Sequence, residues 1–179
     1  MLTFLLGGAR SGKSAFALQL AHEHAANGGH VAYIATSPHI DGDAELAARI
    51  ELHRSERPTQ WTTVEEPHDL VGALESAGKA FAIVDCLTLW VSNLMWRGDD
   101  DAAITAAAQA FGGFAVGRNA SVVVVSNEVG MGIHPPTELG RRYRDVLGWV
   151  NQAVAAAADT TLLMVAGRAL SLHDPRTLR

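Results

Sequence analysis

The apolar run Leu2 to Leu6 stops at a glycine, and Gly7 to Ser14 then reads GGARSGKS, which fits the spacing G-x4-G-K-S. This arrangement constrains the chain more than any other. A phosphate is met by backbone N–H groups at a helix N-terminus when the preceding loop carries no side chains that block approach. Gly7, Gly8 and Gly12 give that freedom, with Ala9, Arg10 and Ser11 completing the loop. Lys13 suits the β- and γ-phosphates as a point charge, and the Ser14 hydroxyl suits Mg²⁺. A buried strand before the loop and a helix after it, the context this loop requires, are predicted for Leu2 to Leu6 and for Ser14 to Ala26.

The rest of the chain alternates in the same way. Apolar runs at His30 to Ala35, Phe81 to Val84, Val122 to Val125 and Thr161 to Val165 predict four further strands. Ala44 to Arg54, Leu70 to Ala77, Leu87 to Met95, Ile104 to Val116 and Leu139 to Ala158 carry helical spacing and helix-forming residues. Gly98 to Asp101 reads as a loop that starts a helix. Alternation of strands and helices means a parallel sheet with helices on its faces. The expected fold is α/β: a single P-loop domain over residues 1–179, RecA-like, with a mostly parallel sheet and helices on both faces. A chain of 179 residues, 48% of them hydrophobic, has enough apolar surface for one such core.

Charge narrows the partners. Fourteen basic residues against nineteen acidic ones give a net charge of -5, without a basic run, and few aromatic residues are available for base stacking. Both points argue against nucleic acid and for a small-molecule substrate. Cys86 is the one cysteine, so an internal disulfide and a thiolate metal cluster are excluded. That usage fits a reducing compartment, and with no basic-flanked leader and no run of roughly 20 apolar residues, a cytoplasmic location without a membrane span is expected.

A metal-bound triphosphate also calls for a carboxylate at a neighbouring strand end. Asp85, directly after Phe81 to Val84, suits that role, and it equally suits a cap for the following helix. Glu128 is a second candidate. Both fall at the carboxyl ends of strands, where open α/β sheets bind ligands. Between Asp41 and Glu66 a different pattern appears: on a helix, Glu45, Arg49 and His53 share one face while Leu46 and Ile50 share another. Arg54 and Arg57 follow His53. Guanidinium groups disfavour the cationic imidazole and bind phosphate oxygens, so a histidine there is equipped to attack phosphorus. On spacing alone, the same pattern describes an exposed helix face. His22, His24, His30, His39, His68, His134 and His173 show no paired ligand spacing and read as surface or loop residues.

Taken together, these segments resemble the bifunctional adenosylcobinamide kinase / adenosylcobinamide-phosphate guanylyltransferase family of cobalamin biosynthesis. The resemblance rests on GGARSGKS, YIATS at Tyr33 to Ser37, AARIELHRSERP at Ala47 to Pro58 and W-x-T-x-E at Trp61 to Glu65. It continues through DCLTLWVSNL at Asp85 to Leu94, SNEVGMGI at Ser126 to Ile133 and GRRYRDVLGWVNQ at Gly140 to Gln152. It implies two reactions: γ-phosphate transfer from ATP or GTP to adenosylcobinamide, then transfer of GMP from GTP to the resulting phosphate through a covalent histidine. By the H-R-x-x-R-P match, His53 inherits the covalent role. Guanine nucleotide contacts fall on Gly7 to Ser14, on Ala35, Thr36 and Ser37, on Arg54, Ser55, Glu56 and Arg57, and on Glu65 and Asp85. Mg²⁺ falls to Ser14 and Asp85.

A carboxylate such as Glu65 accepts the N1–H and N2–H donors of guanine, a pairing that adenine cannot offer. Asn127, Glu128, Gly130 and Gly132 fit a rim of the corrinoid or nucleotide site, while a tight turn with positive φ explains the two glycines equally well. The resemblance also implies a homo-oligomer, a trimer with sites between subunits. Two departures stand out. Gly167 to His173 lacks the proline and lysine of the family's terminal segment, and His134 replaces an apolar residue in Ile133-His134-Pro135-Pro136. The competing readings are a P-loop kinase with one activity, in which His53 only binds phosphate, and a nucleotide-dependent switch with little turnover.

Overall fold

A computed structural model describes residues 1–37 and 57–177. The strands are Leu2–Gly7 (β1), Val31–Ala35 (β2), Thr62–Glu65 (β3), Phe81–Asp85 (β4), Val122–Val125 (β5), Thr160–Val165 (β6) and Arg168–Leu172 (β7). Among the described residues the α-helices are Lys13–Ala26 (α1), Leu70–Ser76 (α2), Leu87–Arg97 (α3), Asp101–Gly117 (α4) and Glu138–Ala157 (α5). The helix expected at Ala44 to Arg54 lies outside the described residues. The seven strands form one sheet in the order β3-β2-β4-β5-β1-β6-β7. Every pairing is parallel except β6 with β7.

Strict alternation divides the core between two faces. Leu5, Tyr33, Ile83, Val123 and Val125 meet Ala17 and Ala21 of α1 on one side. Leu2, Phe4, Leu6, Ile34, Val84 and Val124 meet α2, α3, α4 and α5 on the other, through residues such as Leu74, Trp90, Phe111 and Val150. Fully burying one such side chain stabilises the fold by about 1.5–3 kcal/mol, and a one-residue slip would swap a strand's two sets of side chains. Register is therefore tightly set. One row runs across the sheet through Glu65, Ala35, Asp85, Val125, Leu5 and Leu162, placing the ends of β2, β3, β4 and β5 along the edge from which the Gly7 loop rises.

The helix boundaries follow local chemistry. Asp69 caps α2 by accepting from Gly72 N–H, and Thr137 caps α5 by accepting from Gly140 N–H. Between α3 and α4, Gly98 takes a left-handed φ of 97°, and Asp99 N–H returns to Leu94 O. Asp100 then caps α4 by accepting from Ala103 N–H, so the GDDD segment ends one helix and starts the next. Two strands lie beyond the five that the apolar runs predict. Strand β3 reads TTVE and β7 reads RALSL; both are edge strands with largely exposed side chains. Neither has the buried face that produces an apolar run.

Candidate nucleotide site

The glycine loop connects β1 to α1 with little freedom of its own. Gly7, at φ 149°, lies so close to β6 that a Cβ would sit 2.2 Å from Met164 O. Gly12 ends the loop in a left-handed conformation at φ 99°, and no side chain caps the helix N-terminus it opens. The first-turn N–H groups of α1 thus have no side-chain competitor for an anion. The two-residue turn between β6 and β7 braces the loop from the side. Ala166 and Gly167 have φ of 50° and 72°, and Gly167 N–H donates to Ser11 O at 3.0 Å. The divergent tail segment is thereby built into the support of the phosphate loop.

Lys13 is buried. Its ammonium donates to Gly7 O at 2.9 Å, Gly8 O at 2.6 Å and Ser11 Oγ at 3.2 Å. Burial lowers its pKa, and the nearby Cys86 and Asp85 partly lift it back. Asp85 therefore lies within the electrostatic reach of the lysine. Burial, with the Asp85 charge second, pushes the neighbouring Cys86 thiol up to about 11, which keeps it protonated at neutral pH and removes it as a nucleophile.

Asp85 ends β4, and Tyr33 OH donates to its Oδ2 at 2.7 Å. Burial first, then the Asp85 charge, raises the Tyr33 pKa well above the phenol value, while Arg57 opposes the shift. The phenol accordingly remains a donor. The guanidinium carbon of Arg57 stands 3.5 Å from the Tyr33 ring centroid, within the range of a cation–π contact. Thr36 is fully buried. Its hydroxyl donates to Cys86 O and accepts from Cys86 N–H, at 2.7 and 2.8 Å, and Asn93 Nδ2 donates to Thr36 O at 2.8 Å. In this arrangement Thr36 locks the ends of β2 and β4 together and so sets the positions of Ala35, Ser37 and Asp85. Ser37 Oγ and Arg57 Nε are buried without a hydrogen-bond partner among the described residues. Orphaned groups of this kind are the ones a bound polar ligand satisfies.

Glu65 is exposed at the end of β3, beside Ala35. It lies four strands from β1, roughly 19 Å along the edge at the usual strand spacing. His53, Arg54, Ser55 and Glu56 lie outside the described residues. Ser14 enters the first turn of α1. The hydroxyl of Ser14 and the carboxylate of Asp85 are hard oxygen donors of the kind Mg²⁺ selects. Among the described residues no group of three or more His, Cys, Asp or Glu side chains forms a metal cage. That fits a Mg²⁺ ion carried mainly by nucleotide phosphates and water.

On the other side of the loop, Glu128 N–H donates to Gly7 O at 3.1 Å. Glu128 also lines a groove of about 340 Å³ with Gly130, Arg144, Trp149 and Gln152. Gly130 and Gly132 do not have positive φ, so the tight-turn explanation fails for both. What holds Gly130 is its N–H, donated to Glu128 Oε1 at 2.6 Å. His134 Nδ1 lies 3.0 Å from Arg144 Nη1, and Arg141 donates to Pro135 O and Pro136 O. The histidine departure therefore ties its loop to α5. Sequence reasoning passed over Tyr33; the signal available was a lone phenol in an aliphatic strand, on the same face as the strand-end carboxylate.

The family model described as cobinamide kinase / cobinamide phosphate guanyltransferase matches residues 3–172. The bifunctional adenosylcobalamin biosynthesis protein CobP of Pseudomonas aeruginosa is 42% identical, over 96% of this chain and 97% of its own. The bifunctional adenosylcobalamin biosynthesis protein CobU of Escherichia coli K12 is 40% identical over 93% and 97%, and that of Salmonella typhimurium 38% over the same shares. Among solved structures, an isolated ATPase domain aligns with a TM-score of 0.52 at 13% identity, covering 90% of this chain and 68% of that one. An ATPase of a bacterial type III secretion system aligns at 0.59 and 8% identity, covering 95% and 56%. At those identities the structural likeness shows the P-loop ATPase fold alone. Among the described residues no helix is long and apolar enough to cross a membrane.

Proposed function

We propose, since this chain belongs to the cobinamide kinase / cobinamide phosphate guanyltransferase family, that it uses one P-loop edge for two transfers onto a corrinoid. The observation that carries this reading is the Gly7 to Ser14 loop, with Lys13 buried against its carbonyls and Asp85 and Arg57 gathered around Tyr33 on the same sheet edge. The family's bifunctional character sets aside both the single-activity kinase and the switch. In the first step the aminopropanol hydroxyl of adenosylcobinamide attacks the γ-phosphorus of ATP or GTP and the nucleoside diphosphate leaves. The loop N–H groups and Lys13 hold the phosphates in line and meet the charge that develops on them. When bound, Mg²⁺ neutralises phosphate charge, with Ser14 and Asp85 as its protein partners.

In the second step His53 attacks the α-phosphorus of GTP. An N–P bond forms, the α–β bridging P–O bond breaks, and pyrophosphate leaves. A phosphate oxygen of adenosylcobinamide phosphate then displaces the imidazole and takes the GMP, giving adenosylcobinamide-GDP. Splitting one displacement into two is covalent catalysis. Arg54 and Arg57 bind phosphate oxygens, with Ser55 and Glu56 between them, and Ala35, Thr36 and Ser37 border the nucleotide. The corrinoid approaches along the groove at Glu128, Gly130 and Trp149, which is joined to the loop through Gly7. The working unit is a homo-oligomer, by resemblance a trimer, whose mass sedimentation would report. Exposed Val165, Leu170 and Leu172 supply apolar surface for that contact.

GTP labelled separately at the γ- and α-phosphates tests the function. Both labels are expected to reach a corrinoid product, γ-label first, and GTP consumption is expected to depend on adenosylcobinamide. Transfer of the γ-label alone would remove the second activity.

For Glu65→Gln the expected result is a loss of guanine discrimination. The carboxylate accepts two donors on guanine, whereas an amide offers one acceptor and repels the second N–H with its own. The preference for GTP over ITP, which lacks the N2 amino group, should fall by about tenfold or more in GMP transfer. An unchanged GTP/ITP ratio would remove Glu65 as the base reader.

A further inference from the structure

Tyr33 belongs to none of the phosphate, metal or base contacts carried over by resemblance, yet it touches two of the groups that do. It is 3% exposed and lies on the α1 face of β2, opposite Ile83. Asp85 is two residues beyond Ile83 on the neighbouring strand, so the two side chains share a face and the phenol reaches Oδ2 at 2.7 Å. On the other side the ring carries the Arg57 guanidinium at 3.5 Å. The Nε of Arg57 is buried without a hydrogen-bond partner among the described residues. The aromatic face is therefore a principal hold on that cation.

A carboxylate at a strand end can turn about its last bond. One hydrogen bond to Oδ2 fixes the plane of Asp85 and leaves its other oxygen to a metal's water shell. We propose that Tyr33 is a positioning residue that sets Asp85 for the metal-bound nucleotide and Arg57 for its phosphates through a single side chain. The proposal rests on the reading of Asp85 as a metal-site carboxylate and of Arg57 as a phosphate ligand. Movement of the phenol would disturb both partners, whereas loss of the hydroxyl alone would disturb only Asp85.

That asymmetry gives the test, made on the full chain with Mn²⁺ as a paramagnetic probe and a non-hydrolysable GTP analogue. Tyr33→Phe keeps the ring under Arg57 and deletes the bond to Asp85. Mn²⁺ binding to the protein–analogue complex, read by electron paramagnetic resonance, is expected to weaken by about fivefold, the equivalent of one hydrogen bond. Analogue affinity without metal should stay within about twofold. Tyr33→Leu is expected to weaken Mn²⁺ equally and to lower the metal-free analogue affinity as well. A melting curve for each variant confirms that it is folded.

Asp85→Asn separates the inference from its foundation. If Asp85→Asn weakens Mn²⁺ binding and Tyr33→Phe does not, the role of Tyr33 is overturned while the Asp85 reading stands. If neither substitution alters Mn²⁺ binding, the Asp85 reading falls and the proposal falls with it. Equal metal-free affinity in the Phe and Leu variants would overturn the Arg57 half.

Discussion

Lys13→Ala is expected to abolish both transfers while leaving the protein folded. The ammonium is buried and spends its three donors on Gly7 O, Gly8 O and Ser11 Oγ. Its lowered pKa records that burial opposes the charge here. Truncation therefore relieves a buried cation, and it frees acceptors of which Gly8 is already exposed. The net stability change should stay within about 1 kcal/mol, the scale of a single exchanged hydrogen bond. Function has no such compensation. A point charge beside the β- and γ-phosphates acts where charge develops in the transition state, in a site partly screened from water. Removing one such group costs about 10²–10³ in rate, and loss of ground-state phosphate binding adds to it. Corrinoid phosphorylation and GMP transfer are both expected to fall by about 10³ in kcat/KM, because one clamp serves both uses of GTP. A melting curve near that of the parent makes the result a functional one. Unchanged nucleotide affinity would rule the clamp out, and loss of only one transfer would show that the two reactions do not share it.

How much of this is legible in the sequence depends on whether a residue's role is local. Gly7 to Ser14 declares itself because the loop's work is done by backbone and needs glycines at fixed spacing, and the structure adds only the reason Gly7 tolerates no side chain, the closeness of Met164 O. Asp85 is readable because an apolar strand must end where a charge begins. The buried strands are readable for the same reason, as Val122 to Val125 shows. Strands β3 and β7 escape because an edge strand with exposed side chains has no apolar face to advertise. Long-range roles escape as well. Nothing local marks Thr36 as the lock between β2 and β4, or the turn at Ala166 and Gly167 as a brace for Ser11. Those roles exist only once the strand order places distant segments side by side. For Gly130 the local reading misleads, because a glycine suggests positive φ while the structure shows an N–H held by Glu128.

His53→Ala should separate the two chemistries that Lys13→Ala removes together. If His53 is the nucleophile, the parent protein incubated with α-labelled GTP and Mg²⁺ acquires covalent label and releases pyrophosphate, without any corrinoid. The bond should be acid-labile and alkali-stable: protonation of the phosphoramidate makes imidazole a neutral leaving group, and base cannot supply that proton. In His53→Ala no label is expected, and GMP transfer should fall by about 10³-fold or more, since the alternative is a direct displacement without the bound nucleophile. Transfer of γ-phosphate asks nothing of an imidazole in this scheme. It needs the loop, Lys13 and the metal-site carboxylate, so corrinoid phosphorylation should remain within a fewfold of the parent. The pattern matters more than either number. Equal loss of both activities would make His53 a binding residue shared by the two steps, in the manner of Arg57. Label that persists in His53→Ala would place the covalent bond on another residue. Cys86 would be a poor candidate for it, because burial keeps its thiol protonated.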